Sequence, residues 1–230
     1  DMPLKRDLNR IFRNELPLYF DKNGTTRFGL LNKDTDNLTW FQFKENFFIF
    51  HFSESYETKD SVITYACLLN NVNFCSFIDN TKYKPFEGTQ LSQIILHKKN
   101  NTYEIKKNKY LEEIVNKTNY ITEFPLISKV NNSHIYCGIV ESKKGQIEGY
   151  AKFDLTNFEN SIPDIFIMNN RSGNSEAQPI IIEDKEYLLT YTYDNRNYYL
   201  SLIDIEKKEI HDLKLPKKIR IPPGFHSIFI

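Results

Sequence analysis

The chain is short of the residues that build disulfide-stapled or membrane-spanning proteins. Its 230 residues include only three cysteines, two methionines and one tryptophan. Cys67, Cys75 and Cys137 are odd in number and widely spaced, with no Cys-x-x-Cys pair. That excludes a disulfide framework and a cysteine-based zinc site. They read as buried free thiols in a reducing compartment. No apolar run approaches the ~18–20 residues of a spanning helix; the densest, Phe47 to Phe52, has the length of one strand. No signal peptide is recognisable, so a cytoplasmic protein is expected. Excess charge is also missing. Thirty basic residues balance 30 acidic ones without a basic stripe, so nucleic acid is not an expected partner.

What the chain has in quantity is aromatic residues, 18 Phe and 14 Tyr, and these favour strands over helix bundles. Short β-branched and apolar runs recur along it. Val62 to Leu69, His134 to Val140 and Pro163 to Met168 read as strands, the last followed by a polar loop from Asn169 to Ser175. Tyr187–Tyr193 and Tyr198–Ile203 alternate around Asp194-Asn195-Arg196-Asn197, which predicts a hairpin. Helix signals are few. Leu8, Ile11 and Phe12 have i, i+3, i+4 spacing, so Lys5 to Asn14 reads as a short helix or turn, and Leu111 and Ile114 suggest another near Tyr110 to Asn116. The fold class is therefore all-β: a sandwich, barrel or propeller. No flexible linker divides residues 1–230, so one domain is expected. The first residues are Asp1-Met2, which suggests a truncated or processed chain.

Five histidines are present, and a histidine in a β-rich protein is usually a satisfied core or surface residue. His97 beside Lys98, His134 after a polar turn and His211 beside Asp212 fit that description. His51 differs, because it stands among Phe48, Phe50 and Phe52 on a strand that turns acidic at Glu54. A buried imidazole needs partners for both ring nitrogens. A backbone carbonyl, or a metal on one nitrogen and a carboxylate on the other, would serve. His226 also differs: it lies in Pro223-Gly224-Phe225-His226-Ser227, an apolar terminus where a frayed polar tail is usual.

The segment Phe50-His51-Phe52-Ser53-Glu54-Ser55-Tyr56-Glu57 resembles the Phe-His-x-x-Asn-Ala-Tyr-Glu frame of the carotenoid cleavage oxygenases, with Glu54 and Ser55 as departures. Arg27-Phe28-Gly29-Leu30-Leu31, Leu38 to Phe41, Glu123-Phe124-Pro125, Lys152 to Leu155, Ser175-Glu176 and Glu183-Asp184 are similar to further segments of that family in the same order. The closing Gly224-Phe225-His226 matches its terminal motif, departing at Ser227. The resemblance covers nearly the whole chain. It implies a seven-bladed β-propeller with iron on its axis, of which residues 1–230 would be the C-terminal portion, the N-terminal half of the propeller being absent. It also implies that His51 and His226 are two of four histidine ligands to Fe(II). Glu123 and Glu176 would each support an iron-bound imidazole from behind.

The implied reaction is cleavage by dioxygen of a conjugated double bond in an apolar polyene, a carotenoid or apocarotenoid, giving carbonyl products. Peripheral contact with a membrane is implied because such substrates are lipids. With two of four ligands, the 230 residues alone are expected to be inactive and to hold iron weakly. The substitutions at Glu54, Ser55 and Ser227 leave a second reading open, a catalytically inactive propeller module binding an apolar ligand or a protein.

Overall fold

A computed structural model describes residues 1–74, 86, 87, 90–111, 113, 120–130, 132–141, 145–173, 176–219 and 221. They fall into two compact units, Asp1–Lys107 and Asn108–Ile230.

The first unit begins with two antiparallel pairs, β1 (Leu4–Arg6) with β2 (Leu18–Phe20), and β3 (Arg27–Leu31) with β4 (Leu38–Gln42). A four-stranded sheet then starts with β5 (Phe48–Glu57) and β6 (Ser61–Leu69). A short pair, β7 (Asn71–Val72) and β8 (Phe86–Glu87), interrupts the chain before β9 (Gln90–His97) and β10 (Thr102–Lys107) complete the sheet in the order β10-β9-β6-β5. Successive side chains of a strand face opposite ways. Ile49 accordingly joins a core of Phe41, Phe43, Phe47, Ala66, Leu68 and Ile94, whereas Phe48 joins Phe20, Leu69 and Val72. Burial of both faces explains why this part of β5 is an unbroken apolar run rather than an alternating one. Edge-to-face contacts order the first core, with Phe43 4.8 Å from Phe28 and 5.0 Å from Phe47 between ring centroids.

In the second unit β11 (Tyr120–Ile127), β12 (His134–Glu141), β13 (Gln146–Asp154) and β14 (Asp164–Ile167) form one antiparallel meander. The two-residue β15 (Ser172–Gly173) follows, and then a second meander of β16 (Gln178–Ile182), β17 (Lys185–Tyr193), β18 (Tyr198–Asp204) and β19 (Glu209–Lys214). β15 pairs with both β13 and β17, welding the two meanders into one sheet of nine strands. Glu183 and Asp184, both at positive φ (48° and 62°), turn the tight hairpin between β16 and β17. Left-handed conformation at both turn positions matches the right-handed twist of the strands.

The all-β expectation is met, and the expected strands and the hairpin at 194–197 are present. Lys5 to Asn14, expected as a short helix or turn, holds the end of β1 and a 3-10 turn, Leu8–Arg13, on which Leu8, Ile11 and Phe12 are exposed. One segment differs. The polar stretch after Met168 is partly strand, because Ser172 and Gly173 are captured as β15; residues 174 and 175 lie outside the described residues.

Candidate metal centre

β5 is an edge strand, and its pairing with β6 slips twice. Ile49 faces Leu68 and Phe52 faces Ala66, so Phe50 and His51 together oppose Cys67 alone. Phe52 faces Ala66 and Ser55 faces Thr64, so Ser53 and Glu54 together oppose Tyr65 alone. Each slip is a β-bulge, which adds a residue, bends the strand and re-aims the side chains on it. His51 thus stands within the first bulge and just before the second. It is half-buried, with its ring centroid 6.2 Å from that of Phe50. Burial falls away along the strand from Ile49 onward, and Phe52 is 45% exposed.

The second unit repeats the device. β11 is also an edge strand. Glu123 faces Gly138 and Leu126 faces Tyr136, so Phe124 and Pro125 together oppose Cys137. Pro125 has no N–H for the ladder, which suits an edge or a bulge. Phe124 is held at φ 56°, a conformation that costs a bulky residue about 1–3 kcal/mol. Its amide donates to Glu123 Oε2 at 3.2 Å. Glu123 is a buried carboxylate, 6% exposed. The residue opposite the first bulge of β5, Cys67, and the one opposite the bulge of β11, Cys137, are both buried cysteines.

Glu176 lies just ahead of β16 and is half-buried. The Tyr150 hydroxyl, fully buried, donates to Thr190 Oγ1 at 3.3 Å. Burial pushes the Tyr150 pKa up, and the charge of Glu176 adds to the rise. A side chain at Gly173 would come within 2.9 Å of the same hydroxyl, so the close approach of β15 requires glycine there. His226 and its neighbours, with Ser175, lie outside the described residues.

The other histidines have ordinary partners. His97 Nδ1 is 3.1 Å from Ser61 Oγ, His134 Nδ1 is 2.8 Å from Ser133 Oγ, and exposed His211 lies 3.7 Å from Glu209. His134 does line a feature with no sequence signal, a cleft of about 400 Å³ in the second unit shared with Tyr136, Lys152, Glu186, Asp204 and Glu206. There Tyr136 Oη donates to Glu186 Oε2 at 2.7 Å, the Lys129 amide to Glu186 Oε1 at 2.6 Å, and Lys152 Nζ to Glu206 Oε1 at 2.5 Å. Lys185 is ion-paired with Asp204. Burial first and the Lys152 charge second hold His134 below the usual imidazole pKa. The bonds of Tyr136 and the Lys129 amide to Glu186 and of Lys152 to Glu206 make the cleft a clamp between the two meanders.

A neutral imidazole is a suitable donor for Fe(II), and His51 at a bulge on an edge strand fits that role in kind. The number of donors is not met among the described residues, which contain no group of three or more His, Cys, Asp or Glu side chains able to hold a metal. Iron would need further imidazoles, His226 being the one expected from this chain.

The antiparallel meanders belong to a known class of fold. The chain superimposes on a variant of Synechocystis apocarotenoid oxygenase with a TM-score of 0.71 at 17% identity, covering 99% of this chain and 49% of that one. Cobalt-substituted Synechocystis apocarotenoid oxygenase gives 0.67 at 18% identity over 92% of this chain and 45% of that one. The fold is thus a portion of the carotenoid oxygenase propeller. The model of the retinal pigment epithelial membrane protein (RPE65) family matches residues 1–230, and the chain belongs to that family, the carotenoid cleavage oxygenases. It is also 23% identical over 262 residues to carotenoid 9,10(9',10')-cleavage dioxygenase 1 of Pisum sativum, covering 100% of this chain and 46% of that protein. The chain spans about half the length of the relatives it matches.

Proposed function

We propose that these residues form the C-terminal portion of a non-haem Fe(II) dioxygenase that cleaves a conjugated carbon–carbon double bond of a carotenoid or apocarotenoid. The observation that carries the reading is His51, placed in a bulge of an edge strand inside a family frame. The names of the relatives supply the reaction class. Iron, when bound, would activate dioxygen, and the atoms of O₂ would end as the oxygens of two carbonyl products. His51 and His226 would each give a ring nitrogen to the iron. Glu123 and Glu176 would each accept a hydrogen bond from the far nitrogen of an iron-bound imidazole, fixing its orientation and strengthening donation. The remaining ligands and propeller strands would come from sequence outside these 230 residues.

The test is His51→Ala in the whole gene product, with iron measured by atomic absorption and cleavage of an apocarotenal by chromatography. The expected result is loss of bound iron and a fall in turnover of about 100-fold or more. Iron retained in His51→Ala would remove His51 as a ligand, and an unmodified whole gene product without iron or cleavage would support the inactive binding module.

Membrane contact is the second part of the proposal. No helix among the described residues is long and apolar enough to cross a bilayer. However, the 3-10 turn Leu8–Arg13 exposes Leu8 and Ile11 at 53% and Phe12 at 89%, beside Arg6, Arg10 and Arg13. Apolar side chains among cations suit the interface of an anionic bilayer. Phe12→Glu is expected to cut sedimentation with phosphatidylserine-containing liposomes about tenfold. Unchanged sedimentation would remove this segment as the contact.

A further inference from the structure

The far end of β5 is fixed by its turn. The Thr58 amide donates to Ser61 O at 2.8 Å, Glu57 faces Val62, Tyr56 faces Ile63 and Ser55 faces Thr64. Continued without interruption, that register would set Glu54 against Tyr65 and Ser53 against Ala66. Phe52 faces Ala66 instead. The extra residue at Ser53-Glu54 matters because side chains alternate with a period of two. One added residue transfers Phe52 and what precedes it, as far as the first bulge at Phe50-His51, to the opposite face. The face on which the imidazole emerges is therefore set by the two bulges together, the second of them at Ser53-Glu54.

A bulge takes a ladder acceptor away from the partner strand, and a buried amide that loses its acceptor is costly. Here the amide of Tyr65, itself fully buried, donates to Ser53 Oγ at 3.2 Å. The same hydroxyl donates to Glu54 O at 3.0 Å. One side chain thus satisfies the β6 amide that the bulge displaces and ties the bulge to its own backbone. The Glu54 side chain takes no part in either bond.

We propose that Ser53 is a positioning residue for His51: its hydroxyl replaces a backbone carbonyl as acceptor for the Tyr65 amide, and so holds the second of the two bulges that set the face of the imidazole. The inference rests on reading His51 as an iron ligand. Valine lacks the hydroxyl and threonine keeps it at nearly the same shape, and both are β-branched residues that strands favour. The experiment compares Ser53→Val, Ser53→Thr and His51→Ala in the whole gene product, reading hydrogen exchange at the Tyr65 amide together with iron content. Ser53→Val is expected to speed exchange at that amide about tenfold or more and to lose iron to the extent that His51→Ala does, with Ser53→Thr restoring both. Unchanged exchange in Ser53→Val would overturn the lock. Fast exchange with iron retained, while His51→Ala loses it, would overturn the positioning role and leave His51 a ligand. Iron retained in His51→Ala would remove the ligand reading, and the role of Ser53 with it.

Discussion

Gly149→Ala is expected to destabilise the second unit by about 3 kcal/mol or more, at the upper end of what one added methyl does. Gly149 lies in β13 with Ile139 of β12 on one side and Ile167 of β14 on the other. A Cβ there would stand 2.1 Å from Phe166 O and 2.9 Å from Ile167 Cα, both backbone atoms. A flexible side-chain tip could swing aside, but a paired strand cannot. β14 is also tied down just beyond its end, where the Met168 amide donates to Glu148 O at 2.7 Å. Relief would mean breaking the β13–β14 ladder. Gly138, on the neighbouring β12, is the control. A Cβ there would meet Glu123 O at 3.4 Å and side-chain carbons at 3.5 and 3.7 Å, ordinary contact distances. Gly138→Ala is therefore expected to cost less than about 1 kcal/mol. Urea unfolding of both variants checks the contrast, and equal midpoints would show that β14 yields where the geometry says it cannot.

The strands were legible where the sequence carries local information. Asp194 to Asn197 could be read as a turn because Asp194 accepts from the Arg196 and Asn197 amides at 2.7 Å each, a bond made inside the turn itself. The apolar run at Phe47 to Ile49 could be read as strand because it is buried on both faces. Lys5 to Asn14 reads as a short helix or turn from the spacing of Leu8, Ile11 and Phe12, and it is the turn that forms. Pairing with β2 claims Leu4 to Arg6, and Asn14 at φ 57° stops the short turn that is left. β15 was missed because two residues carry no period, and its pairing is decided by β13 and β17.

The sequence marks His51 as a candidate through its frame, but the geometry around it was hidden: nothing in Phe50-His51-Phe52-Ser53-Glu54 announces a bulge, since no glycine or proline interrupts it. A bulge is a count of residues on one strand against those on its partner, and a single strand cannot show that count. β11 did carry a signal, because Pro125 inside a strand implies an edge or a bulge. The positions of Cys67 opposite the first bulge of β5 and Cys137 opposite that of β11 are likewise a property of pairing.

Glu123→Gln separates a carboxylate kept for the fold from one kept for a metal. Glu123 is 6% exposed, and taking a carboxylate out of water costs several kcal/mol unless other charges or hydrogen bonds compensate. Glutamine has the same shape, and its carbonyl can still accept from the Phe124 amide, so the bulge keeps its internal bond. Only the charge is lost. If the charge serves the fold, the variant should melt earlier with iron binding unchanged. If it supports an iron-bound imidazole, neutralising it removes a desolvation cost and weakens a ligand. The expected outcome is a melting temperature equal to or above that of the unmodified protein, together with iron affinity lowered about 10–100-fold. Calorimetry and competition against an iron chelator, run on the whole gene product, give the two readouts independently. The strained Phe124 favours the same outcome, since a bulky residue at φ 56° beside a buried carboxylate is an arrangement that stability alone would not select.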